Sequence, residues 1–357
     1  MKLFTRTTTL ALAIAAAAPT ALYAQPPKVL IIYDMEGISG VIKPHYERFG
    51  MPEYPEGRES LTADVNAAIR GLKAGGAGAI MVEDGHGSGN TESPDLLVEK
   101  MDPNATFEFR DRPYNPYTTG IDGSVRAIVC IGMHARARTE GFMAHTGTFD
   151  VAWNLNGVDI TETHIVALSG ARWGIPVIMV SGDNVLKNQL APDFPELMYA
   201  EVKEAHGHSL ATAAPRAEAD RRIETAAREA MQKFLAGKVR PYYLDGPYEF
   251  HLTFRTHEQA LMAAQTHGVT SDGDLGVRFE SRTYIDGFDV AEDVVSHGMN
   301  YLPLLLRVVR HQPGGDAIVR QWLDLIWQQI DPDSLPAWSL PPAPTVADQH
   351  RRYYGDS

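Results

Sequence analysis

Val29-Leu30-Ile31-Ile32-Tyr33 runs directly into Asp34-Met35-Glu36-Gly37. Apolar residues without polar alternation make a strand buried on both faces, and such strands belong to parallel sheets with helices on either side. The same texture recurs outward from this point. Residues 61–73 have helical periodicity and stop at Gly75-Gly76, and residues 77–82, 127–131 and 177–180 are further apolar runs. Strands alternating with helices predict an α/β fold, a mostly parallel sheet flanked by helices. Residues 151–155 and 158–160 flank Asn156-Gly157, which predicts a two-residue hairpin.

Downstream the texture changes. Residues 216–236 are rich in Ala, Glu and Arg, with Ile223, Ala227, Ala230 and Phe234 at helical spacing. They predict an amphipathic helix leading out of the first domain. Residues 248–254 alternate as a half-exposed strand does, residues 276–284 give another, and 290–308 and 318–330 are helical in pattern. The expected organisation is an α/β domain over 28–215, a smaller C-terminal α+β domain over 216–330, and a Pro-rich tail over 331–357. No internal repeat is visible.

The first 24 residues predict a secretory signal peptide. Lys2 and Arg6 supply the positive start, residues 10–18 the apolar run, and Ala24 a small residue before Gln25-Pro26-Pro27. The run is shorter than the ~20 apolar residues needed to span a bilayer. The expected location is therefore periplasmic or secreted. Removing Lys2 and Arg6 takes the formal net charge from −13 to −15 (−13 − 2). An acidic chain argues against a nucleic-acid partner, because phosphate backbones are bound by clustered Lys and Arg. Cys130 is the single cysteine, so no intrachain disulfide can form, and its apolar neighbours predict burial.

The chemistry gathers at strand ends. Asp34 and Glu36 sit at i and i+2, so their carboxylates face one way. Adjacent carboxylates repel unless a cation lies between them. The second apolar run leads into Glu83-Asp84-Gly85-His86-Gly87, and the third into Gly132-Met133-His134. In open parallel sheets ligands bind beyond the carboxyl ends of the strands, so all three endings open to one side. Mixed His and carboxylate donors suit Zn²⁺, or Mn²⁺ or Co²⁺, better than Mg²⁺ or Ca²⁺. Glu162, by its residues alone, reads as an acid favoured in the first turn of a helix. Asp183 ends the fourth apolar run, where it could orient a ligand histidine, hold a substrate ammonium, or cap the following helix. The other histidines fit no ligand set, and His206-Gly207-His208 reads as a solvated loop.

The string Asp34-Met35-Glu36-Gly37-Ile38-Ser39-Gly40 resembles the D-aminopeptidase family of zinc peptidases (peptidase family M55). Gly85-His86, Gly132-Met133-His134-Ala135-Arg136-Ala137 and Gly141-Phe142-Met143-Ala144-His145 continue the resemblance. So do Glu162, Gly174-Ile175-Pro176-Val177 and Gly182-Asp183, and the likeness spans about residues 28–310. It implies two zinc ions per chain: Asp34 bridging both, Glu36 and His134 completing one, His86 and Glu162 the other. It implies His145 as the catalytic residue, leaving open a general acid or base, an oxyanion donor and a nucleophile. It further implies small peptides with D-residues as substrates, and a homo-oligomer, decameric in family members. Two rivals stay open: another two-metal hydrolysis, of an L-peptide, amide or phosphoester, and a non-enzymatic peptide-binding protein.

Overall fold

The computed structural model describes residues 25–330, apart from 111–113, 150 and 301. The expected signal peptide and the Pro-rich tail lie outside the described residues. In chain order the elements are β1 (Val29–Tyr33), α1 (Tyr54–Gly75), β2 (Ile80–Asp84), β3 (Thr106–Phe107), β4 (Ala127–Met133), β5 (Val151–Leu155) and β6 (Val158–Asp159). Then come α2 (Glu162–Ala171), β7 (Val177–Asp183), α3 (Asn184–Leu190), β8 (Met198–Ala205), β9 (Ala211–Ala213) and α4 (Arg216–Leu235). The last group is β10 (Tyr248–Phe254), α5 (His257–Ala263), β11 (Thr270–Asp272), β12 (Gly276–Ser281), α6 (Tyr284–Gly298), α7 (Leu302–Arg310) and α8 (Gly315–Ile330).

A seven-stranded sheet has the order β3-β2-β1-β4-β7-β8-β9, parallel throughout except for β9 at one edge. The α/β class read from the sequence is the class observed. A second, five-stranded antiparallel sheet runs β11-β12-β10-β5-β6. The apolar run of β1 is buried at every position, and its alternate residues divide between two cores. Val29, Ile31 and Tyr33 pack toward α1 and α4, whereas Leu30 and Ile32 pack toward α2 and the smaller sheet.

The segment 216–236 is helical as expected, but it does not lead away from the first sheet. It lies along α1 and over β7 and β8, because Gly71 and Gly75 let the two helices close together. A Cβ on Gly71 would stand 2.3 Å from the Glu224 carbonyl oxygen. The hairpin β5–β6 is also used differently from its place in the chain. Its strand β5 pairs with β10, although residues 156–247 lie between them in the chain. The smaller sheet is thus built from two separated stretches.

Two positions decide how the loop after β1 can approach the site. Gly132 has φ +80°, and a Cβ there would stand 2.2 Å from the Asp34 carbonyl oxygen. A Cβ on Gly37 would stand 1.9 Å from the Met133 carbonyl oxygen. Only glycine lets the turn after β1 lie directly on the end of β4, where Gly37 donates to the Gly132 carbonyl at 2.7 Å.

Candidate metal centre

β1 lies between β2 and β4, and Tyr33 is in register with Asp84 on one side and Ile131 on the other. Asp34, His86 and His134 therefore emerge together at the carboxyl edge, where the chain leaves β1 toward β2 and leaves β4 toward β7, in opposite directions across the sheet. Such a switch point opens a crevice in an open parallel sheet. All three side chains are buried there, as are Glu36, His145 and Glu162.

The six residues form two groups joined by one carboxylate. In the first, His86 Nδ1 stands 3.1 Å from Asp34 Oδ1 and 3.1 Å from Glu36 Oε2. In the second, His134 Nε2 stands 3.2 Å from Asp34 Oδ2 and 3.5 Å from Glu162 Oε2. Asp34 gives one oxygen to each group. The pairing corrects the one implied by the resemblance: Glu36 goes with His86, and Glu162 with His134. Strand order supplies the reason. β2 and β4 flank β1 on opposite sides, so His86 meets the acids of the β1 loop, while α2, packed on β4 and β7, brings Glu162 to His134.

Local structure fixes each donor. Asp34 Oδ1 accepts the Met35 amide at 2.7 Å. Asp84 accepts the amides of His86 and Gly87, both at 2.9 Å, which holds the turn carrying the imidazole. His86 Nε2 donates to the Glu47 carbonyl at 3.0 Å, and His134 Nδ1 to the Ala135 carbonyl at 3.0 Å. Carbonyls only accept, so these nitrogens carry hydrogen and the opposite nitrogens are left for the acids, or for a metal. Glu162 is the first residue of α2, after the Thr161 cap that also binds His164. Glu162 is thus the first-turn helix acid that its residues alone suggest, and the same carboxylate faces His134.

Electrostatics confirm a cation-seeking site. Burial alone would raise the Asp34 carboxyl, but its close contacts with Glu36, His134 and His86 hold it well below its usual range. Burial would lower His86, and the Glu36 charge with the Asp34 and Glu36 hydrogen bonds drives it well above. The same contest, won by the charge of Glu162, raises His134. His134 Nε2 faces two carboxylates, Asp34 and Glu162. Nitrogen and oxygen donors converge wherever a positive charge is needed, so a pair of divalent ions of the zinc type fits.

His145 sits beside the second group. Its ring stacks on His134 at 3.9 Å between centroids, and its Nε2 is 3.6 Å from Glu162 Oε1, the oxygen that His134 does not face. Glu162 Oε1 also accepts the Gly147 amide at 2.8 Å. His145 Nδ1 donates to the Met143 carbonyl at 2.7 Å. Burial, then the His134 charge, lowers its pKa, which favours the neutral ring, and the Met143 carbonyl favours the hydrogen on Nδ1.

The profile of the D-aminopeptidases, peptidase family M55, matches residues 28–292. The chain belongs to the D-aminopeptidase family. A D-aminopeptidase of Bacillus subtilis (strain 168) is 27% identical over 264 residues, covering 73% of this chain and 94% of that protein. The solved structure of the Zn-dependent D-aminopeptidase DppA from Bacillus subtilis, described as a self-compartmentalizing protease, superimposes with a TM-score of 0.71. It is 25% identical, and the match covers 76% of this chain and 98% of that one.

Within this member of the D-aminopeptidase family, Asp183 is the helix cap and no part of the metal groups. Oδ1 accepts the Val185 and Leu186 amides at 3.0 and 2.8 Å, and Oδ2 accepts the Phe142 amide at 3.0 Å. Its site role is to pin the loop leading to His145. The sequence reading missed Lys203, a buried lysine on β8 whose Nζ donates to the carbonyls of Glu36, at 2.5 Å, and Val41. The same nitrogen lies 4.6 Å from the centre of the Phe142 ring, and burial lowers its pKa to about 7. It also missed Phe149, whose ring packs, tilted, against His145 at 4.5 Å and against the exposed His208 at 5.5 Å between centroids. That row of rings leads from the metal groups to solvent.

Proposed function

We propose that this protein is an exported, zinc-dependent aminopeptidase that hydrolyses short peptides or amides, preferring an N-terminal D-residue such as that of D-Ala-D-Ala. The observation that carries it is the pair of donor groups sharing Asp34, with the neutral His145 beside them. Family membership supports the reaction class, and the Zn-dependent relative supports the metal. Two clusters of potential donors, Asp34 with Glu36 and His86, and Glu162 with His134 and His145, support two ions per chain. The reading of residues 1–24 supports export. The relative's self-compartmentalizing assembly supports a homo-oligomer. Among the described residues no helix is long and apolar enough to cross a membrane.

The side chains divide the work. Asp34, Glu36 and His86 would hold one ion, and Asp34, His134 and Glu162 the other. When bound, zinc supplies a Lewis acid for the amide carbonyl and lowers the pKa of a coordinated water to about 7. The Glu47 and Ala135 carbonyls keep the two ligand imidazoles in the tautomer that presents a lone pair to the site. His145 Nε2 would take a proton from the attacking water and return it to the leaving amine, while Nδ1 stays bonded to the Met143 carbonyl. Burial of all six groups keeps bulk water away.

The test is a panel of D- and L-aminoacyl dipeptides and amides, assayed with and without added Zn²⁺, with elemental analysis of the purified protein. D-Alanyl substrates should turn over fastest, about two zinc ions should be found per chain, and Asp34→Ala should lose both. A preference for L-residues, or turnover confined to phosphoesters, would replace the proposed substrate. One tightly held ion in Asp34→Ala would remove the bridge.

A further inference from the structure

An enzyme that removes N-terminal residues must recognise a free α-ammonium, and the acids nearest the metal groups are mostly engaged. Asp34, Glu36 and Glu162 face the two histidines, and Asp183 is filled by three amides. Asp84 receives two amides and faces Arg110 at 3.6 Å. Asp64 accepts from Ser39 and Arg216, and Asp95 from Tyr54.

Glu47 is different. It is fully buried, yet neither carboxylate oxygen accepts a hydrogen bond from another residue. Its backbone carbonyl receives His86 Nε2 at 3.0 Å, which places the residue against a ligand imidazole without making it a ligand. A buried acid without hydrogen bonds is costly to keep charged until a cation arrives beside it.

We propose that Glu47 is the anchor for the substrate's N-terminal ammonium. The inference rests on the aminopeptidase reading given above. An ammonium held at Glu47 and a scissile carbonyl held at the metal groups would fix two substituents of the substrate's α-carbon. The side chain and hydrogen must then take the two remaining directions, so the hand of the residue becomes readable. The same anchor explains why a free amine is required and how D- and L-residues are told apart.

The experiment compares wild type with Glu47→Gln and Glu47→Asp, all zinc-loaded, on D-alanine p-nitroanilide, L-alanine p-nitroanilide and the amine-free propionyl p-nitroanilide. In Glu47→Gln, kcat/KM for the D-alanine anilide should fall on the order of 10- to 100-fold through KM, the range for a lost hydrogen bond to a charged group. The propionyl anilide should be cleaved as by wild type, the D/L ratio should move toward one, and zinc content should not change. Glu47→Asp, with its charge drawn back by one methylene, should fall between the two. Equal losses on the aminated and amine-free anilides would make Glu47 structural and overturn the anchor, and loss of zinc would make it a ligand. If wild type cleaves none of these anilides, the proposed function falls. Calorimetric binding of D-alaninamide to wild type and to both variants then decides the anchor by itself, and equal affinity overturns it.

Discussion

At the residue scale, the positions that were legible and those that were not differ in a physical way. Asp34, Glu36, His86 and His134 stand at the ends of apolar runs, and register carries them to one edge whatever the loops do. Glu162 had only its resemblance to speak for it, since a first-turn acid has the same sequence appearance whether or not it meets a histidine. Lys203 had no signal at all. It sits between Val202 and Glu204 in a strand whose outward positions are charged, and nothing local says that its ammonium turns inward. Its work is to hold the Asp34–Val41 turn and the Phe142 ring with one buried amine. Lys203→Met should keep the side chain's bulk but release both carbonyls. Zinc titration should then show weaker binding at the group containing Glu36, with the His134 and Glu162 group little changed. Equal weakening at both would mean a general loss of structure.

His145 separates binding from catalysis at the same scale. Its Nε2 approaches Glu162 Oε1, whereas His134 Nε2 approaches Oε2, so removing the ring leaves the second donor group complete. His145→Ala should keep both ions and lose roughly 10²–10⁴-fold in turnover, the range for a positioned acid or base. If its proton is moved only in the transition state, kcat and kcat/KM should fall together. A zinc-poor His145→Ala protein would make the residue a ligand, and full activity would take it out of the reaction.

At the scale of elements, the buried strands and the Asn156-Gly157 hairpin were readable because their patterns need no partner to be recognised. α1 starts at Tyr54, ahead of the periodic stretch, because Pro55 in its first turn sets the entry while residues 54–60 look like a loop. β8 and β9 were missed because they are mixed in polarity and close one edge of the large sheet. The helix 216–235 was recognised, but its partner was not, since the contact depends on what two glycines lack. Gly71 approaches Glu224 and Ala227, and Gly75 approaches Met231. Gly71→Val should force α1 and α4 apart and lower the stability of the zinc-free protein by about 1–3 kcal/mol, the usual range for overpacking. Denaturant melts with unchanged midpoint would show that the helices do not need this close approach.

At the scale of the whole molecule, the two cores and the crossing point of the sheet leave a buried pocket of acids and imidazoles whose charge must be balanced. Without metal, protons do this. His86 places Nε2 on a carbonyl and Nδ1 on two carboxylates, and His134 places Nδ1 on a carbonyl and Nε2 on two carboxylates. Every ring nitrogen in the pair faces an acceptor, so both rings are imidazolium, in keeping with their raised pKa values. A metal binds only the neutral ring, so loading each group must expel a proton. Zinc affinity should therefore rise with pH, and calorimetry in buffers of different ionisation enthalpy should register about one proton released per histidine. Stability follows with a definite sign. The raised histidines stabilise the metal-free fold fully below the unfolded value of about 6.5, and that contribution is lost as pH rises through their folded values. The lowered Asp34 and Glu162 stabilise above the ordinary carboxylate range and lose their contribution as pH falls through their folded values. The metal-free protein should accordingly weaken toward alkaline pH, where zinc binds best. Thermal melts with zinc and with chelator should diverge steadily from about pH 6 to 8.5, across and above the unfolded histidine value. A constant gap over that interval would mean that the histidines carry no proton in the metal-free site.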